Sequence, residues 1–448
     1  MGKINCFKAY DIRGKVPSEL DPNLAYETAI AFSTLTKAEV TVVGHDIRKS
    51  SEAISDAIVR GLTDNGTNVI NIGLCGTEMV YFATSEYEAD GGIMITASHN
   101  PPEYNGMKFV KKNSVPVGYD SGLNEVEKMI LDKNIAPFHS DAGDVRQANI
   151  MDKFIAHLFK FFDPEKLKPL KVVVNAGNGC AGLALNALEE KLPVKLIKIH
   201  NEPNPEFPNG VPNPLLPGNR KSTSDAVIKN KADLGVAWDG DYDRCFFFDE
   251  NGNFIEGYYI VALLAKSILK DHPGEKIVHD PRLIWNTIDV VEKAGGIPIV
   301  SVSGHAFMKQ KMREVKSIYG GEMSAHHYFR ENAFSDSGMI PFLTVMQLMS
   351  VENKKLSEFV EEMIKSYPCS GEINSEISNP AKKIKEVEAK YSDGRIEHID
   401  GLSVEYNDWR FNLRMSNTEP ILRLNVESRG NRQLTEDKTE ELLKVIRA

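Results

Sequence analysis

Apolar residues along this 448-residue chain fall in short runs, each closed by a polar turn. Gly91-Gly92-Ile93-Met94-Ile95-Thr96-Ala97 is such a run. It reads as a buried strand that stops at Ser98-His99-Asn100-Pro101-Pro102. Ser98 and His99 then stand at a strand's C-terminal end, the rim where open α/β sheets bind ligands. A serine there would equally cap a following helix. Upstream, Lys8-Ala9-Tyr10-Asp11-Ile12-Arg13-Gly14 reads as loop. It is followed by a helix over 24–35, a strand over 40–43 ending Gly44-His45-Asp46-Ile47-Arg48, a helix over 51–65 and a strand over 69–72.

The order then recurs. A strand over 171–174 runs into Asn175-Ala176-Gly177-Asn178-Gly179, followed by a helix and strands over 194–199 and 234–237. A third round starts with a strand over 276–278 and His279-Asp280-Pro281-Arg282, then a helix, a strand over 297–302, and Ile318-Tyr319-Gly320-Gly321. Strand, polar turn, helix, strand, loop, strand is the grammar of a mixed α/β layer, and three rounds predict three similar domains. The third strand of each round ends in a chemically loaded loop: Ser98-His99, Asp239 to Arg244, and Glu322 to His326. Past residue 370 the pattern changes. Strand-like runs over 409–413 and 422–426 flank Arg414-Met415-Ser416-Asn417-Thr418-Glu419-Pro420 and a helix closes the chain, which predicts a smaller α+β domain. Residues 201–217, rich in Pro and Asn, read as loop. The expected division is 1–148, 149–252, 253–367 and 368–448, consistent with the roughly three or four domains such a length suggests.

Composition narrows the function classes. With 42% apolar, 26% charged and 8% aromatic residues the chain is of ordinary globular type. A net charge of −10 without a Lys/Arg block argues against nucleic-acid or anionic-membrane partners. The five cysteines are scattered and form no Cys-x-x-Cys pair, which fits a reducing compartment. The first residues hold no signal-peptide core, Cys6 stands where a myristoylation motif wants Ser or Thr, and apolar runs such as 260–265 are too short to span a bilayer. A cytoplasmic location is expected.

Asp239, Asp241 and Asp243 alternate after an apolar strand, so an extended segment would put their carboxylates on one side. Three hard oxygen ligands suit Mg²⁺, which completes its shell with water or phosphate. A calcium loop would match Glu250 at its twelfth position but needs Gly where Arg244 stands, and helices where strands are read. A plain acidic turn would leave three anions repelling one another. Arg414, Ser416, Asn417, Thr418 and Arg423 offer a guanidinium fork, hydroxyls and turn N–H groups, the means of holding a phosphate dianion or of making a solvated hairpin. Glu322, Ser324 and His326 alternate likewise, as sugar-binding groups or the polar face of an edge strand. His305 and Lys309 lie one turn apart at a helix start, a spacing usual for surface residues. Gly177-Asn178-Gly179-Cys180-Ala181-Gly182 matches the dinucleotide fingerprint, yet the following strand ends in His200-Asn201 without the required acid.

Thr96-Ala97-Ser98-His99-Asn100-Pro101, Asp239-Gly240-Asp241-x-Asp243-Arg244, Gly321-Glu322-Met323-Ser324-x-His326, Arg414-x-Ser416-Asn417-Thr418-Glu419-Pro420 and Tyr10-Asp11-Ile12-Arg13-Gly14 stand in order in one chain. Together they resemble the α-D-phosphohexomutase superfamily, most closely its bacterial phosphomannomutases, over essentially the whole length. The resemblance implies a heart-shaped, four-domain α/β enzyme with three similar mixed domains and a smaller C-terminal α+β domain. It implies interconversion of mannose 6-phosphate and mannose 1-phosphate through phosphorylated Ser98 and a hexose 1,6-bisphosphate, which also acts as activator. Alternatives within the superfamily are a dual phosphomannomutase/phosphoglucomutase and a phosphoglucosamine mutase; a non-catalytic sugar-phosphate sensor would lack the serine or the aspartates. The implied catalytic set is Ser98, His99, Lys108, Arg244 and His326, with Lys108 and His326 as candidate bases. Mg²⁺ would sit on Ser98, Asp239, Asp241 and Asp243. Tyr10, Arg13, Arg282, His305, Glu322, Ser324, Arg414, Ser416, Asn417, Thr418 and Arg423 would bind substrate. Hexose phosphates are the implied partners of a monomer or weak dimer. Tyr242 departs from the Gly of many relatives but leaves the three metal ligands in place.

Overall fold

The computed structural model describes residues 3–135, 141–415 and 421–448. The chain divides into two compact units, one of residues 1–254 with 328–353 and the other of 255–327 with 354–448.

The first unit holds two sheets of one plan. In the first, Val40–His45 lies between Asn68–Leu74 and Gly91–Ile95, all parallel. Tyr104–Lys111 runs antiparallel beside Gly91–Ile95. In the second, Lys171–Asn175 lies between Lys195–Ile199 and Leu234–Trp238, again parallel, with Cys245–Phe248 antiparallel outside. The first strand of each round is central and the third lies beside it, so both present C-terminal ends on one rim. Gly91–Ile95 and Leu234–Trp238 are buried throughout, as strands covered on both faces must be. Helix Pro22–Thr36 starts with Asp21 accepting from Leu24 N at 2.8 Å and Pro22 in the first turn, and buries Ala25, Ala29 and Phe32.

Two elements escape a reading by period. The stretch read as loop around residues 8–14 contains the strand Ile12–Lys15, which pairs with Tyr104–Lys111 through Ile12 opposite Met107. Four residues are too few for alternation to show. Helix Thr77–Glu86 is buried on every side from Thr77 to Thr84, so it has no polar face to give a 3.6-residue period.

The second unit repeats the plan once more: Lys276–His279 lies between Ile297–Val300 and Tyr319–Gly321 in parallel. Its other sheet is antiparallel, in the order Ile373–Glu376, Ile421–Ser428, Trp409–Met415, Leu402–Glu405, Arg395–Glu397, with helix Arg432–Arg447 at the end of the chain. A buried polar knot joins these sheets. Arg410 donates to Glu427 Oε1 at 2.8 Å and to the carbonyls of Arg282 at 2.9 Å and Pro281 at 3.0 Å. Glu427 also accepts from Ile284 N at 2.8 Å and from the Tyr258 hydroxyl.

Because removing one partner strands a buried charge, Arg410→Met is expected to cost about 3–5 kcal/mol. The double variant Arg410→Met/Glu427→Leu should recover part of that loss. Urea-denaturation midpoints of the three proteins check this; a single variant as stable as the parent would refute it.

Candidate functional site

Ser98 sits on the first sheet's rim with φ at +49°, a left-handed conformation uncommon for a non-glycine residue, and is 2% exposed. No helix follows it, so it caps none: Tyr104–Lys111 comes next. What holds the loop is Arg48. Its guanidinium donates to the carbonyls of Ser98 at 2.8 Å, Asn100 at 2.6 Å, Pro101 at 2.8 Å and Tyr104 at 3.0 Å. Asp46 in turn orients Arg48, at 3.3 Å from Nε. Four carbonyls facing one fork-shaped donor fix a backbone that has no ladder of its own. Ser98 N also donates to Thr96 Oγ1 at 2.8 Å. Arg13 reaches the same loop through Asn100 Oδ1 at 2.7 Å, paired with Asp11 at 2.5 Å. Tyr10 is half-buried on the segment entering that strand.

The Ser98 hydroxyl donates to Asp239 Oδ2 at 2.8 Å and lies 3.1 Å from His99 Nδ1. The expected extended run over 239–243 is instead a tight turn. Tyr242 N donates to Asp239 O at 3.2 Å, and Tyr242 adopts φ of +46°. The turn brings the three carboxylates together more closely than alternation would, with ligand oxygens all within 4.8 Å of one another. Tyr242 does not crowd them. Its buried ring lies where a Cβ on Gly76 would fall, 2.0 Å from Cε1. Two glycines permit the close stacking of loops: a Cβ on Gly240 would lie 2.6 Å from Ser98 O, and one on Gly179 would lie 2.5 Å from Gly240 O. The glycine-rich turn at 177–182 is thus consumed by packing against the aspartate loop, and Cys180 N donates to Gly240 O at 2.9 Å.

Lys108 bridges two of the aspartates, 2.7 Å from Asp241 Oδ2 and 2.5 Å from Asp243 Oδ2. Arg244 Nε is 3.5 Å from Asp239 Oδ2. Burial, then the neighbouring Asp243 and Asp241 charges, raise the Asp239 carboxyl well above the ordinary range. Burial would raise Asp241 as well, but the Lys108 ammonium outweighs it and holds that carboxyl down. Lys108 is driven the other way: burial disfavours its charge, yet Asp241 and Asp243 keep it protonated. Asp239 Oδ1 and Asp241 Oδ1 are buried without a hydrogen-bond partner among the described residues. Orphaned carboxylate oxygens in an acid-rich pocket fit a hard divalent cation.

In the second unit, residues 322–326 also form a turn where an edge strand was one expectation: Glu322 N donates to His326 O at 2.9 Å, and Ala325 adopts φ of +69°. Glu322 accepts from Gly304 N at 2.8 Å and lies 3.3 Å from His326 Nδ1 and 3.5 Å from Arg282 Nη2. Arg282 donates to Ser324 Oγ at 3.2 Å. His305 is half-buried at the start of helix His305–Val315, whereas Lys309, expected at the surface, is fully buried.

Glu372 gathers the remaining cations: Arg414 at 3.2 Å, Arg282 at 3.3 Å and Arg423 at 3.6 Å. Burial would raise this carboxyl, but Arg414, Arg282 and Arg423 together bring it down to about 2. Ser416, Asn417 and Thr418 lie outside the described residues.

Sequence reasoning passed over Arg48, Thr77 and Glu372. A signal for Arg48 was present, since His-Asp-x-Arg closes the first strand in two of the three rounds. Both copies fold alike: His45 and His279 Nδ1 lie 2.9 Å from the carbonyls of Asp46 and Asp280, and the two arginine N–H groups donate to the aspartates at 3.0 Å. Arg48 then grips the Ser98 loop and Arg282 the Ser324 loop.

Comparison with known proteins agrees along the whole chain. Four phosphoglucomutase/phosphomannomutase family profiles match, alpha/beta/alpha domain I at residues 5–134, domain II at 152–252, domain III at 256–367 and the C-terminal domain at 372–445. A phosphomannomutase of Escherichia coli K12 is 50% identical over 454 residues, covering 100% of both chains. A Xanthomonas campestris protein named "Phosphohexose mutases" is 49% identical, covering 98% of this chain and 99% of the other. The crystal structure of a phosphoglucomutase/phosphomannomutase family protein from Burkholderia thailandensis matches with a TM-score of 0.87 at 28% identity, covering 100% of this chain and 98% of that one. The chain therefore belongs to the phosphoglucomutase/phosphomannomutase family.

Proposed function

We propose that this chain is a phosphomannomutase, interconverting mannose 6-phosphate and mannose 1-phosphate by way of phosphorylated Ser98. The observation that carries the reading is the Ser98 hydroxyl, set on a strained, buried loop and donating to Asp239 at 2.8 Å, beside Asp239 Oδ1 and Asp241 Oδ1, which have no partner among the described residues. The name of the Escherichia coli relative supports mannose as the sugar. That of the Xanthomonas relative favours a second reading, a mutase of broader hexose specificity. The proposed division is the four domains 1–148, 149–252, 253–367 and 368–448, working in the cytoplasm as a monomer or weak dimer.

In the proposed cycle the phosphoryl group on Ser98 passes to the free hydroxyl of a bound hexose phosphate. The serine O–P bond breaks as the sugar O–P bond forms, and the hydroxyl proton goes to a base. His326, oriented by Glu322, is the proposed base; Lys108, held as an ammonium by Asp241 and Asp243 and so unable to take the proton, supplies positive charge. The serine oxygen leaves as the alkoxide that attacks the bisphosphate in the return step, when the proton on His326 goes back to the departing sugar oxygen. The resulting hexose 1,6-bisphosphate turns end for end and returns its other phosphoryl group to Ser98. Such transfer rests on alignment and charge neutralisation. Asp239, Asp241 and Asp243 would hold Mg²⁺, which when bound neutralises charge on the transferring group. Arg244 adds positive charge at Asp239, and His99 lines the serine. Glu322 and Ser324 would grip sugar hydroxyls, with Arg13, Tyr10, Arg282 and His305 completing the substrate contacts. Arg414 and Arg423, with Ser416, Asn417 and Thr418, would hold the phosphate that does not react.

A coupled assay of mannose, glucose and glucosamine 1-phosphates, with Mg²⁺ and bisphosphate present, should give the highest kcat/KM for mannose 1-phosphate; a higher value for glucosamine 1-phosphate would replace this reading. Ser98→Ala should lower turnover by about 1,000-fold or more while calorimetry still detects hexose-phosphate binding. Turnover at the parent's rate would end the phosphoserine mechanism. Arg414→Ala should raise KM about tenfold or more with kcat nearly kept, because the clamp serves ground and transition states alike. Glu372→Gln should shift KM in the same direction by a smaller factor, since an amide can accept from one guanidinium but cannot neutralise three. A loss confined to kcat in either variant would contradict the clamp.

A further inference from the structure

Helix Thr77–Glu86 opens directly against the aspartate turn. Thr77 N donates to Asp241 O at 3.1 Å, and Thr77 Oγ1 donates to Asp241 Oδ2 at 2.5 Å. Lys108 Nζ donates to the same hydroxyl at 3.3 Å. An ammonium has no lone pair, so the single hydroxyl proton is committed to Asp241. Thr77 is fully buried. The hydroxyl does not cap its own helix: the N-cap is Gly76, without a side-chain cap bond. Its partner is 164 positions away.

The result is an asymmetric carboxylate. Asp241 Oδ2 accepts from Thr77 and Lys108, whereas Asp241 Oδ1 is buried and has no partner among the described residues. Two bonds from one residue, to the main chain and to the side chain of Asp241, fix both the position of the turn and the plane of the carboxyl group. The β-branch of Thr77 restricts its own χ1, which makes the hydroxyl a rigid support. Tyr242 closes the arrangement from below, its ring against Gly76, where any side chain would collide.

We propose that Thr77 is a positioning residue for the divalent metal: by binding Oδ2 it presents Oδ1 of Asp241 to the cation. The inference rests on the reading of the aspartate trio as a metal site. Partners that orient a ligand in this way typically change metal affinity 10–100-fold when removed.

The test is Mn²⁺ binding to the full chain, measured by electron paramagnetic resonance and calorimetry, in the parent, Thr77→Val, Thr77→Ser and Asp241→Asn. Thr77→Val, which keeps shape and loses the hydroxyl, should bind Mn²⁺ about 10–100-fold more weakly, and Thr77→Ser within about threefold of the parent. Thermal midpoints in chelator should be alike for parent and Thr77→Val, separating lost affinity from lost folding; if Thr77→Val does not fold, Thr77→Ala against Thr77→Ser gives the same comparison. Parent-like affinity in Thr77→Val would overturn the proposal. So would a Thr77→Ser variant as weak as Thr77→Val, because the methyl group and not the hydroxyl would then be what matters. If the parent shows no Mn²⁺ site that Asp241→Asn removes, the metal reading itself fails, and the role of Thr77 with it.

Discussion

Three carboxylates packed into one buried turn set the terms for everything around them. Water cannot screen them, so each must find positive charge or a hydrogen-bond donor in the protein, or be protonated. Lys108 satisfies Asp241 and Asp243, Arg244 approaches Asp239, and the Ser98 hydroxyl gives its proton to Asp239. The supply falls short of the demand. Asp239 Oδ1 and Asp241 Oδ1 remain buried without donors among the described residues, and Asp239 is the carboxyl pushed towards the neutral form. A cluster left short of cations in this way is one that could hold a hard divalent cation.

The sheets explain how such a cluster can be assembled at all. In each round of the fold the first strand is central and the third lies beside it, so two loops from adjacent strand ends meet on one rim. In the first round the meeting is enforced by Arg48, which spends its donors on four carbonyls of the serine loop. In the third round Arg282, in the same place in the repeat, faces Ser324 and Glu322. The second round has no such arginine. Its strand end is glycine-rich and lies directly against the aspartate turn, where a backbone contact takes the place of a side-chain staple. The same scaffold position thus carries a long donor in two rounds and the absence of a side chain in the other.

Much of this was legible in the sequence because the signals were local. Buried parallel strands appear as continuous apolar runs, and their polar ends name the loops that matter, so Ser98, the aspartate trio and Glu322 could be picked out by position alone. What stayed hidden needed either a missing period or a distant partner. Helix Thr77–Glu86 is buried all round from Thr77 to Thr84, polar residues included, and has no stripe to read. The aspartates suggested an extended strand because alternation and a tight turn give the same spacing of letters; only the left-handed Tyr242 tells them apart. Thr77 and Glu372 act on partners far along the chain, and nothing beside them in sequence marks them out. Lys309 looked like a surface residue from its spacing and is buried. Spacing along a helix does not say what covers that face.

The two units are out of balance in opposite senses. The aspartate turn gathers three acids around one bridging lysine, while Glu372 faces three guanidinium groups, of which Arg282 is also paired with Asp280 at 2.8 Å, and Arg414 Nε and Arg282 Nε are buried and without partners among the described residues. An acid-rich site calls for a cation and a base-rich site for an anion. At the second site Arg282 is also held by Asp280 and Glu322, so the positive surplus rests on Arg414 and Arg423 beside Glu372, and their guanidinium forks would offer a phosphate paired donors in the geometry of its oxygens. Glu372 is then best understood as the group that keeps three mutually repelling arginines side by side. Without a fixed carboxylate the cations would separate, and an incoming dianion would have to reassemble them at the expense of its own binding energy.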